Sequence, residues 1–389
     1  MKNIDSLINQ DVFHIQRSGI RKFFDKVAQV DGAVQLTLGQ PDFRTPDHVK
    51  EAAKQAIDEN HTTYTPNGGI PELQVAATNF MQEKYGLDYK AESEVIATIG
   101  ASQALDITLR TLLSHGDEVL LPVPAYPAYE PLIRLNGAKP IYIDTSKTNF
   151  KLTKKAVKEA ITPRTRALIL PYPSNPTGVV LSKTELAEIA SVVQGEDMFI
   201  VSDEIYSELV YDHKHQSIAM FPGMKERTVV INGLSKSHSM TGWRIGFTFA
   251  PAELVTHMLK VHSYNISCAS SISQHAALSA LTVGKDDAAA MRAEYENRRN
   301  YMLERLLEME LPVEKPEGAF YLFPSIAKTG LDSYSFAEKL LFEDKLAVVP
   351  GTAFSQYGEG YVRLSYAYSM DNLVEACNRL ERFVTRHSV

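Results

Sequence analysis

The sequence predicts an α/β fold, with a mostly parallel seven-stranded sheet in a large domain and a smaller α+β domain beside it. From Val95 onward, apolar β-branched runs alternate with helical stretches, which is typical of a parallel sheet covered by helices. The runs are nearly continuous in Val, Ile and Leu, as expected for strands buried on both faces. The chain has 389 residues, 44% of them hydrophobic, which suffices for a large core and a second domain.

Each strand of the large sheet is predicted from one apolar run. These runs lie at residues 95–99, 118–122, 139–143, 166–171, 198–202, 228–232 and 243–249. Helical stretches precede and separate them, at residues 46–59, 71–85, 102–113, 126–136, 153–161 and 183–193. Because ligands bind at the carboxyl ends of parallel strands, polar residues just after these runs are candidates for a site.

The two ends of the chain have a different pattern. Residues 1–35 are typical of a loose amphipathic helical arm, and residues 36–43 of a short strand that breaks at Gly39. Residues 271–310 are predicted to be helical, with charges such as Arg298 and Arg299 on a solvated face, and short strands and helices follow. The predicted domains are a large α/β unit of residues 45–285, and a small unit that includes the arm, made of residues 1–44 with 286–389.

Charge and composition argue against several kinds of partner. The net charge is −7 and no basic run indicates a nucleic-acid surface. No apolar segment approaches membrane-spanning length, and residues 1–19 lack the apolar core of a signal peptide. Two cysteines cannot form a disulfide framework, and residues 212–215, with two histidines, predict a surface loop and not a metal site. We expect a cytoplasmic protein that binds no metal, membrane or nucleic acid.

The stretch between the last two predicted strands contains the residues most informative about chemistry. Lys236 follows a buried strand, where burial lowers the pKa of an amine and leaves it nucleophilic toward a carbonyl. Arg244 lies eight residues later, and its planar guanidinium suits a phosphate. A lysine that bonds to a carbonyl beside a phosphate clamp is what pyridoxal 5'-phosphate (PLP) requires. The simpler alternative is a lysine on a solvated turn.

Two other strand ends have residues that would complete such a site. Ala101 and Ser102 open a helix, whose dipole and N–H groups favour a phosphate. Asp203 ends a strand, where its carboxylate can pair with a protonated pyridine nitrogen, and Tyr206 is within reach of the ring oxygen. An ordinary capped helix would explain either stretch alone.

Three further residues at strand ends suit a flat ring or a carboxylate. Asn175 lies in the dense turn of residues 171–178, and Tyr126 follows another strand and could stack on a ring. Arg363 is a charged residue within an apolar strand, and a substrate carboxylate would provide its partner. The alternatives are a plain turn, a core tyrosine and a structural salt bridge.

A serine hydrolase is the alternative from another class of enzyme. Ser102 has a strand–turn–helix context similar to a nucleophile elbow, with Asp203 and a later histidine such as His238 as partners. However, the last glycine of that pattern is alanine here, and no H-G-G-G-type loop precedes it.

Together these motifs closely resemble the fold-type I, class I/II aminotransferases. The likeness covers nearly the whole chain and is carried by residues 38–43, 235–236, 240–244 and 361–363. The amino-acid sequences of three stretches are most similar to those of the N-acetyl-L,L-diaminopimelate aminotransferases of bacterial lysine synthesis. These stretches are residues 171–178, 233–240 and 267–274. That resemblance implies amino-group transfer between glutamate/2-oxoglutarate and N-acetyl-L,L-2,6-diaminopimelate. An aspartate or aromatic aminotransferase, and a PLP-dependent C–S lyase, remain alternatives.

The resemblance also implies which residues bind the cofactor. Lys236 would bond covalently to PLP and move the substrate's proton, and Asp203 would pair with the pyridine nitrogen. The others would contact the phosphate, the ring oxygen or the ring face, namely Ala101, Ser102, Ser235 and Arg244 for the phosphate, Asn175 and Tyr206 for the oxygen, and Tyr126 for the face. Many relatives have serine where Gly233 stands, so Ser235 is the candidate replacement.

The remaining expectations concern the substrate and a second subunit. Arg363, Asn175 and the backbone at Gly39 would hold the substrate's α-carboxylate. Tyr64 would reach the phosphate of the neighbouring subunit, which implies a homodimer with shared sites. In the arm, Ile20 would cover the site, near the candidates for the distal carboxylate, Arg17, Arg21 and Lys22. The Asn175–Pro176 peptide bond is predicted to be cis.

Overall fold

A seven-stranded sheet is the largest sheet of the computed structural model, which describes residues 4–15, 19, 23 and 26–388. Its strands follow the order β2-β8-β7-β6-β5-β3-β4. Their bounds are Val95–Thr98 (β2), Glu118–Val123 (β3), Lys139–Asp144 (β4), Thr165–Leu170 (β5), Phe199–Asp203 (β6), Thr228–Gly233 (β7) and Gly246–Phe249 (β8). Neighbours are parallel except where β8 pairs with β2 and β7. The predicted fold class is confirmed.

Both faces of this sheet are buried, which explains the continuous apolar runs. Along β5, Ala167 and Ile169 pack into one apolar cluster, while Leu168 and Leu170 pack into another on the opposite face. This alternation is the period-2 geometry of a strand. The α-helices have these bounds: Gln10–His14, Asp47–Asp58, Pro71–Tyr85, Gly100–Leu112, Tyr129–Leu135, Lys154–Ala160, Lys183–Val193, Leu234–Ser237, Ala252–Ile266, Ser271–Thr282, Ala288–Glu308, Ser333–Asp344 and Met370–His387.

Short strands join the two ends of the chain. Val34–Gln35 (β1) pairs in parallel with Leu346–Ala347 (β10). A three-stranded antiparallel sheet is formed by Val349–Pro350 (β11), Val362–Ser365 (β12) and Tyr321–Leu322 (β9), with β12 in the middle. The residues before the large sheet therefore pack with those after it, while the predicted domain boundaries stay a prediction.

The carboxyl ends of the parallel strands place the predicted residues at one edge of the sheet. Asp203 is the last residue of β6, and Lys236 follows β7 by three residues. Gly100 follows β2, which runs parallel to β7 because each is antiparallel to β8. This is the edge where sheets of this kind bind ligands.

Four local predictions were wrong. Arg298 and Arg299 are buried, not solvated: Arg298 pairs with Asp42 and stacks on Phe43, because a buried guanidinium needs both a counter-ion and packing. The predicted strand at residues 36–43 is replaced by β1, two residues earlier. The helix Ala252–Ile266 was not predicted.

The fourth error lies within the predicted surface loop at residues 212–215, of which residues 212–214 are exposed as predicted. Its His215 is buried and lies 2.8 Å from a carboxylate oxygen of Glu204, so polar composition did not mean exposure. Among the described residues no group of histidine, cysteine or acidic side chains could hold a metal ion. Nor does any described helix combine the length and apolarity needed to cross a membrane.

The peptide bond before Pro176 was also predicted incorrectly. The cis bonds are Val123–Pro124 and Tyr172–Pro173, whereas Asn175–Pro176 is trans. The chain reverses here through Gly178, which has a φ of +71°. Its N–H donates to the Ser174 carbonyl at 2.9 Å. A glycine that adopts positive φ without strain supplies the reversal.

Candidate active site

A cavity of about 400 Å³ opens at the carboxyl ends of the strands. Most of the predicted site residues line it, although they are far apart in sequence. They are Gly39, Ala101, Ser102, Tyr126, Asn175, Asp203, Tyr206, Ser235, Lys236, Arg244 and Arg363. The structure therefore brings these residues into one site.

Lys236 lies in the short helix Leu234–Ser237, directly after β7. Its Nζ donates a hydrogen bond to the carbonyl of Gly39, which belongs to the segment before the first long helix. Burial lowers the pKa of Lys236 to about 8, and the positive charges of Arg363 and Arg244 act in the same direction. Removing an amine from water disfavours its charged form, so a fraction of neutral amine is present near neutral pH.

Asp203 is a buried carboxylate at the end of β6. It accepts a hydrogen bond from the Tyr129 hydroxyl at 2.8 Å and a longer one from the Ile205 N–H at 3.3 Å. Burial raises the pKa of Asp203 to about 6, while these two hydrogen bonds oppose the rise. Among the described residues it forms no salt bridge, so the site offers a buried acceptor for a cation.

Arg244 and the start of the helix Gly100–Leu112 form the positively charged side of the cavity. Arg244 has a φ of +53°, and its Nη1 donates to the Thr241 carbonyl at 2.9 Å. A Cβ on Gly100 would lie 2.6 Å from Nη2 of Arg244, so only glycine lets the guanidinium approach the helix. Ala101 and Ser102 follow in the first turn, where N–H groups lack partners within the helix.

Arg363 is 2% exposed and lies on β12. It donates to the Asn175 side-chain oxygen at 2.9 Å and to the Thr37 carbonyl at 2.6 Å. Its Nε is buried and has no hydrogen-bond partner. No described carboxylate pairs with it, so the alternative of a structural salt bridge is wrong. A buried guanidinium with an unused N–H donor can bind an anion through that donor.

Two tyrosines of the site were missed in the sequence. Tyr129 donates to Asp203, and Tyr321 lies with its hydroxyl 2.8 Å from that of Tyr206. Tyr129 could have been found, because it stands three residues after Tyr126 at the start of a helix and so belongs to the same strand end. Tyr321 lies in an ordinary apolar run, and no local signal distinguishes it.

Comparison with known proteins identifies the family. The pattern of the family described as aminotransferase class I and II matches residues 31–380. The chain belongs to this family. It is 56% identical to a probable N-acetyl-LL-diaminopimelate aminotransferase of Bacillus subtilis, over 98% of this chain and 97% of the relative. It is 44% identical to an aspartate aminotransferase of Pyrococcus abyssi, over 95% of this chain and 96% of the relative.

A solved structure supports the same grouping. The N-succinyldiaminopimelate aminotransferase of Mycobacterium tuberculosis matches with a TM-score of 0.91 and 32% identity, over 97% of this chain and 100% of that one. The present chain is therefore an aminotransferase, and the hydrolase alternative was wrong. In this aminotransferase, His238 lies near Ser237 at 2.8 Å and the Gly284 carbonyl at 2.9 Å, so both ring nitrogens are engaged away from Ser102.

One described residue of the predicted site, Tyr64, does not line the cavity of this aminotransferase. Tyr64 is 87% exposed, and its expected role in a neighbouring subunit stays a prediction. Ile20 lies outside the described residues, as do Arg17, Arg21 and Lys22.

Proposed function

We propose that this aminotransferase uses PLP to move an amino group between glutamate/2-oxoglutarate and N-acetyl-L,L-2,6-diaminopimelate. The observation that carries the proposal is the cavity itself. It combines a lysine of lowered pKa, a buried carboxylate without a salt bridge and a buried arginine with an unused donor. Each of these groups is costly to bury alone, and each is matched by one part of the cofactor or substrate.

The charges of the cavity fit PLP. An anionic phosphate would bind between Arg244, Ser102, Ser235 and the N–H of Ala101, where the helix dipole adds to the positive charge. Asp203 would pair with the protonated pyridine nitrogen, and Tyr126 would pack on the ring face. When bound, PLP supplies an electron-withdrawing ring that stabilises negative charge at the substrate's Cα.

The chain's own residues would then direct the proton. Lys236 is the residue that would hold the cofactor covalently, and its Nζ in the neutral form would take the proton from the substrate's Cα. The Gly39 carbonyl, which accepts from Nζ in the structure, orients that amine. Asp203 would keep the ring nitrogen protonated, while Tyr206 and Asn175 would hold the ring oxygen.

Arg363 would bind the α-carboxylate common to all amino-acid substrates. Its Nη1 is oriented by Asn175, and its buried Nε has no hydrogen-bond partner, so Nε can donate to a carboxylate oxygen. The backbone at Gly39 would complete this contact. Because every substrate carries the group, Arg363 does not select among them.

A second cavity supports a long, acylated substrate. It has a volume of about 260 Å³ and shares Tyr126 with the first cavity. Its lining is mainly apolar, and its polar groups include Tyr142, Glu130 and Arg134, whose Nε donates to the Glu130 carboxylate at 2.8 Å and whose Nη1 forms no hydrogen bond among the described residues. An acyl methyl would suit the apolar part, and Arg134 the distal carboxylate. Two relatives are named for acetylated and succinylated diaminopimelate, which supports the same substrate class.

We also propose a cytoplasmic homodimer with shared sites. The ring of Tyr64 is exposed, so it is accessible for contact with a neighbouring subunit's site. The structure's two cysteines, Cys268 and Cys377, are both free, which suits a reducing compartment.

A substrate panel tests the proposal. The purified protein should be yellow with PLP, and its visible band should change on adding L-glutamate. With 2-oxoglutarate as acceptor, N-acetyl-L,L-diaminopimelate should give a higher kcat/KM than aspartate, alanine, phenylalanine or cystathionine. The highest value for aspartate or phenylalanine would instead identify an aspartate or aromatic aminotransferase, and pyruvate with ammonia from cystathionine would identify a C–S lyase.

Arg134→Met tests the second cavity separately. It should lower kcat/KM for the acylated substrate by about tenfold, the effect of losing a hydrogen bond to a charged group. Turnover of alanine, which has no distal carboxylate, should be unchanged. An equal loss for both substrates would contradict the assignment of this cavity.

A further inference from the structure

Tyr321 is a fully buried side chain that lines the cavity and contacts both Tyr206 and Arg363. Its hydroxyl lies 2.8 Å from the Tyr206 hydroxyl, and the two rings meet edge to face with centroids 5.9 Å apart. The face of its ring lies 4.4 Å from the guanidinium carbon of Arg363. Different atoms of one side chain thus contact a residue proposed to bind the cofactor and a residue proposed to bind the substrate.

The backbone holds Tyr321 in this position. It pairs with Ser365 in the β9–β12 ladder, two residues beyond Arg363 on the same strand. Its hydroxyl lies 2.5 Å from where a Cβ on Gly39 would stand, so the lack of a side chain at Gly39 admits it. The carbonyl of the same glycine accepts the hydrogen bond from Lys236.

We propose that Tyr321 is a positioning residue, whose hydroxyl holds that of Tyr206 and whose ring holds the guanidinium of Arg363. The inference rests on the proposed function, in which Tyr206 faces the cofactor and Arg363 the substrate carboxylate. A phenol has one proton and two lone pairs, so the contact with Tyr321 restricts the direction in which Tyr206 can bond. The cation–π contact similarly restricts the plane of the guanidinium.

The two functions can be separated by two substitutions. Tyr321→Phe removes the hydroxyl and keeps the ring, so it should shift the wavelength or the pH midpoint of the PLP absorption band. It should also lower kcat by about three- to tenfold, the usual net effect of one hydrogen bond, with KM for glutamate unchanged. Tyr321→Leu also removes the ring, and should in addition raise KM for glutamate by about three- to tenfold.

Tyr366→Phe is the matched control. Tyr366 is a fully buried tyrosine of the same apolar cluster, and its hydroxyl lies 3.3 Å from both the Tyr211 hydroxyl and the Ala319 carbonyl. It does not line the cavity. This variant should lower the melting temperature about as much as Tyr321→Phe, with no change in the absorption band or in KM.

A double-mutant cycle tests whether Tyr321 acts through Tyr206. Tyr206→Phe removes the same hydrogen bond from its other end, so the double variant should show little further loss in kcat. Additive losses, or an unchanged absorption band and kcat in Tyr321→Phe, would overturn the inference. A wild-type protein that binds no PLP would overturn the proposed function and this inference with it. A yellow, active wild type with an unaffected Tyr321→Phe variant would overturn the inference alone.

Discussion

Burial of a few charged residues sets the chemistry of this aminotransferase. The same low-dielectric surroundings lower the pKa of Lys236 and raise that of Asp203, so the two pKa values move toward each other. The proposed reaction needs an amine that loses its proton readily and a carboxylate that can pair with a cation. Three predictions test these residues one at a time.

Lys236→Ala should abolish turnover, by at least the roughly 10²–10⁴-fold that a positioned acid–base group contributes. PLP should still bind, because the phosphate contacts do not involve this side chain. Reduction of the wild-type protein with borohydride, followed by peptide mapping, should place the label on Lys236. A label on another lysine would refute the assignment.

The lowered pKa of Lys236 predicts a pH-dependent stability of the cofactor-free protein. Between about pH 8 and its ordinary value of 10.5, the folded protein binds fewer protons than the unfolded chain, so the free energy of unfolding rises with pH. A shift of this size corresponds to about 3 kcal/mol. Lys236→Met lacks this titration, so its stability relative to wild type should fall by about that amount across the window.

Urea unfolding at several pH values measures this difference. The control is Lys183→Met, at an exposed position on the helix Lys183–Val193. Its stability difference from wild type should stay nearly constant with pH. Parallel curves for Lys236→Met and wild type would show that Lys236 titrates normally in the folded protein.

Asp203→Asn should reduce the rate of the half-reaction with glutamate far more than it raises KM. Losing one partner of a buried ion pair costs about 3–5 kcal/mol, or about 10²–10⁴-fold in rate. The carboxylate is proposed to contact the ring nitrogen and not the substrate, so substrate binding should change little. Stopped-flow absorbance measures the half-reaction, and an unchanged rate would exclude the proposed role.

At the scale of elements, the proposed phosphate site depends on how closely the end of β7 and the start of β8 approach the Ala101 backbone. A Cβ on Gly246, at the start of β8, would lie 2.7 Å from the Ala101 nitrogen. Gly233, at the end of β7, pairs directly with Gly246, and a Cβ there would lie 3.0 Å from the Gly246 Cα. This crowding favours glycine at position 233 of this chain, and Ser235, two residues later, has a hydroxyl that lines the cavity.

Gly100→Ala should weaken PLP binding by about tenfold or more, because the added methyl would displace the Arg244 guanidinium. The left-handed backbone adds a stability loss of about 1–2 kcal/mol. Gly116→Ala is the matched control, since Gly116 has a φ of +89° and open space around its Cβ position. It should lose the same stability and keep normal PLP affinity. Equal PLP affinities in the two variants would refute the packing argument.

At the scale of the whole molecule, the proposed homodimer predicts that residues of two subunits complete one active site. Lys236→Ala and Tyr64→Ala should each be impaired as separate homodimers. If Tyr64 completes the neighbour's site, a mixed dimer has one site with both native residues. In an equal mixture half of the dimers are mixed and half of their sites are native, so activity should rise to about a quarter of that of wild type at limiting PLP. Activity no higher than the average of the two parents would place Tyr64 in its own subunit's site or in neither.

Much of the fold and of the site was predictable because the relevant signals are local. Apolar runs, turn residues and helix starts are read within about ten residues, and they correctly located the seven strands and the polar residues at their ends. The rule that ligands bind at the carboxyl ends of parallel strands then groups Lys236, Asp203 and Ser102 from their positions in the chain alone.

The remaining features depend on contacts between distant parts of the chain, so only the tertiary structure decided them. Arg363 meets Asn175 across 188 residues, and Tyr206 meets Tyr321 across 115. Whether a charged side chain is solvated or buried depends on what packs over it, which is why Arg298 and His215 were misjudged. The pKa values of Lys236 and Asp203 follow from the same burial. The sequence by itself determined which chemical groups are present at the strand ends, and folding determined their solvation, and hence their reactivity.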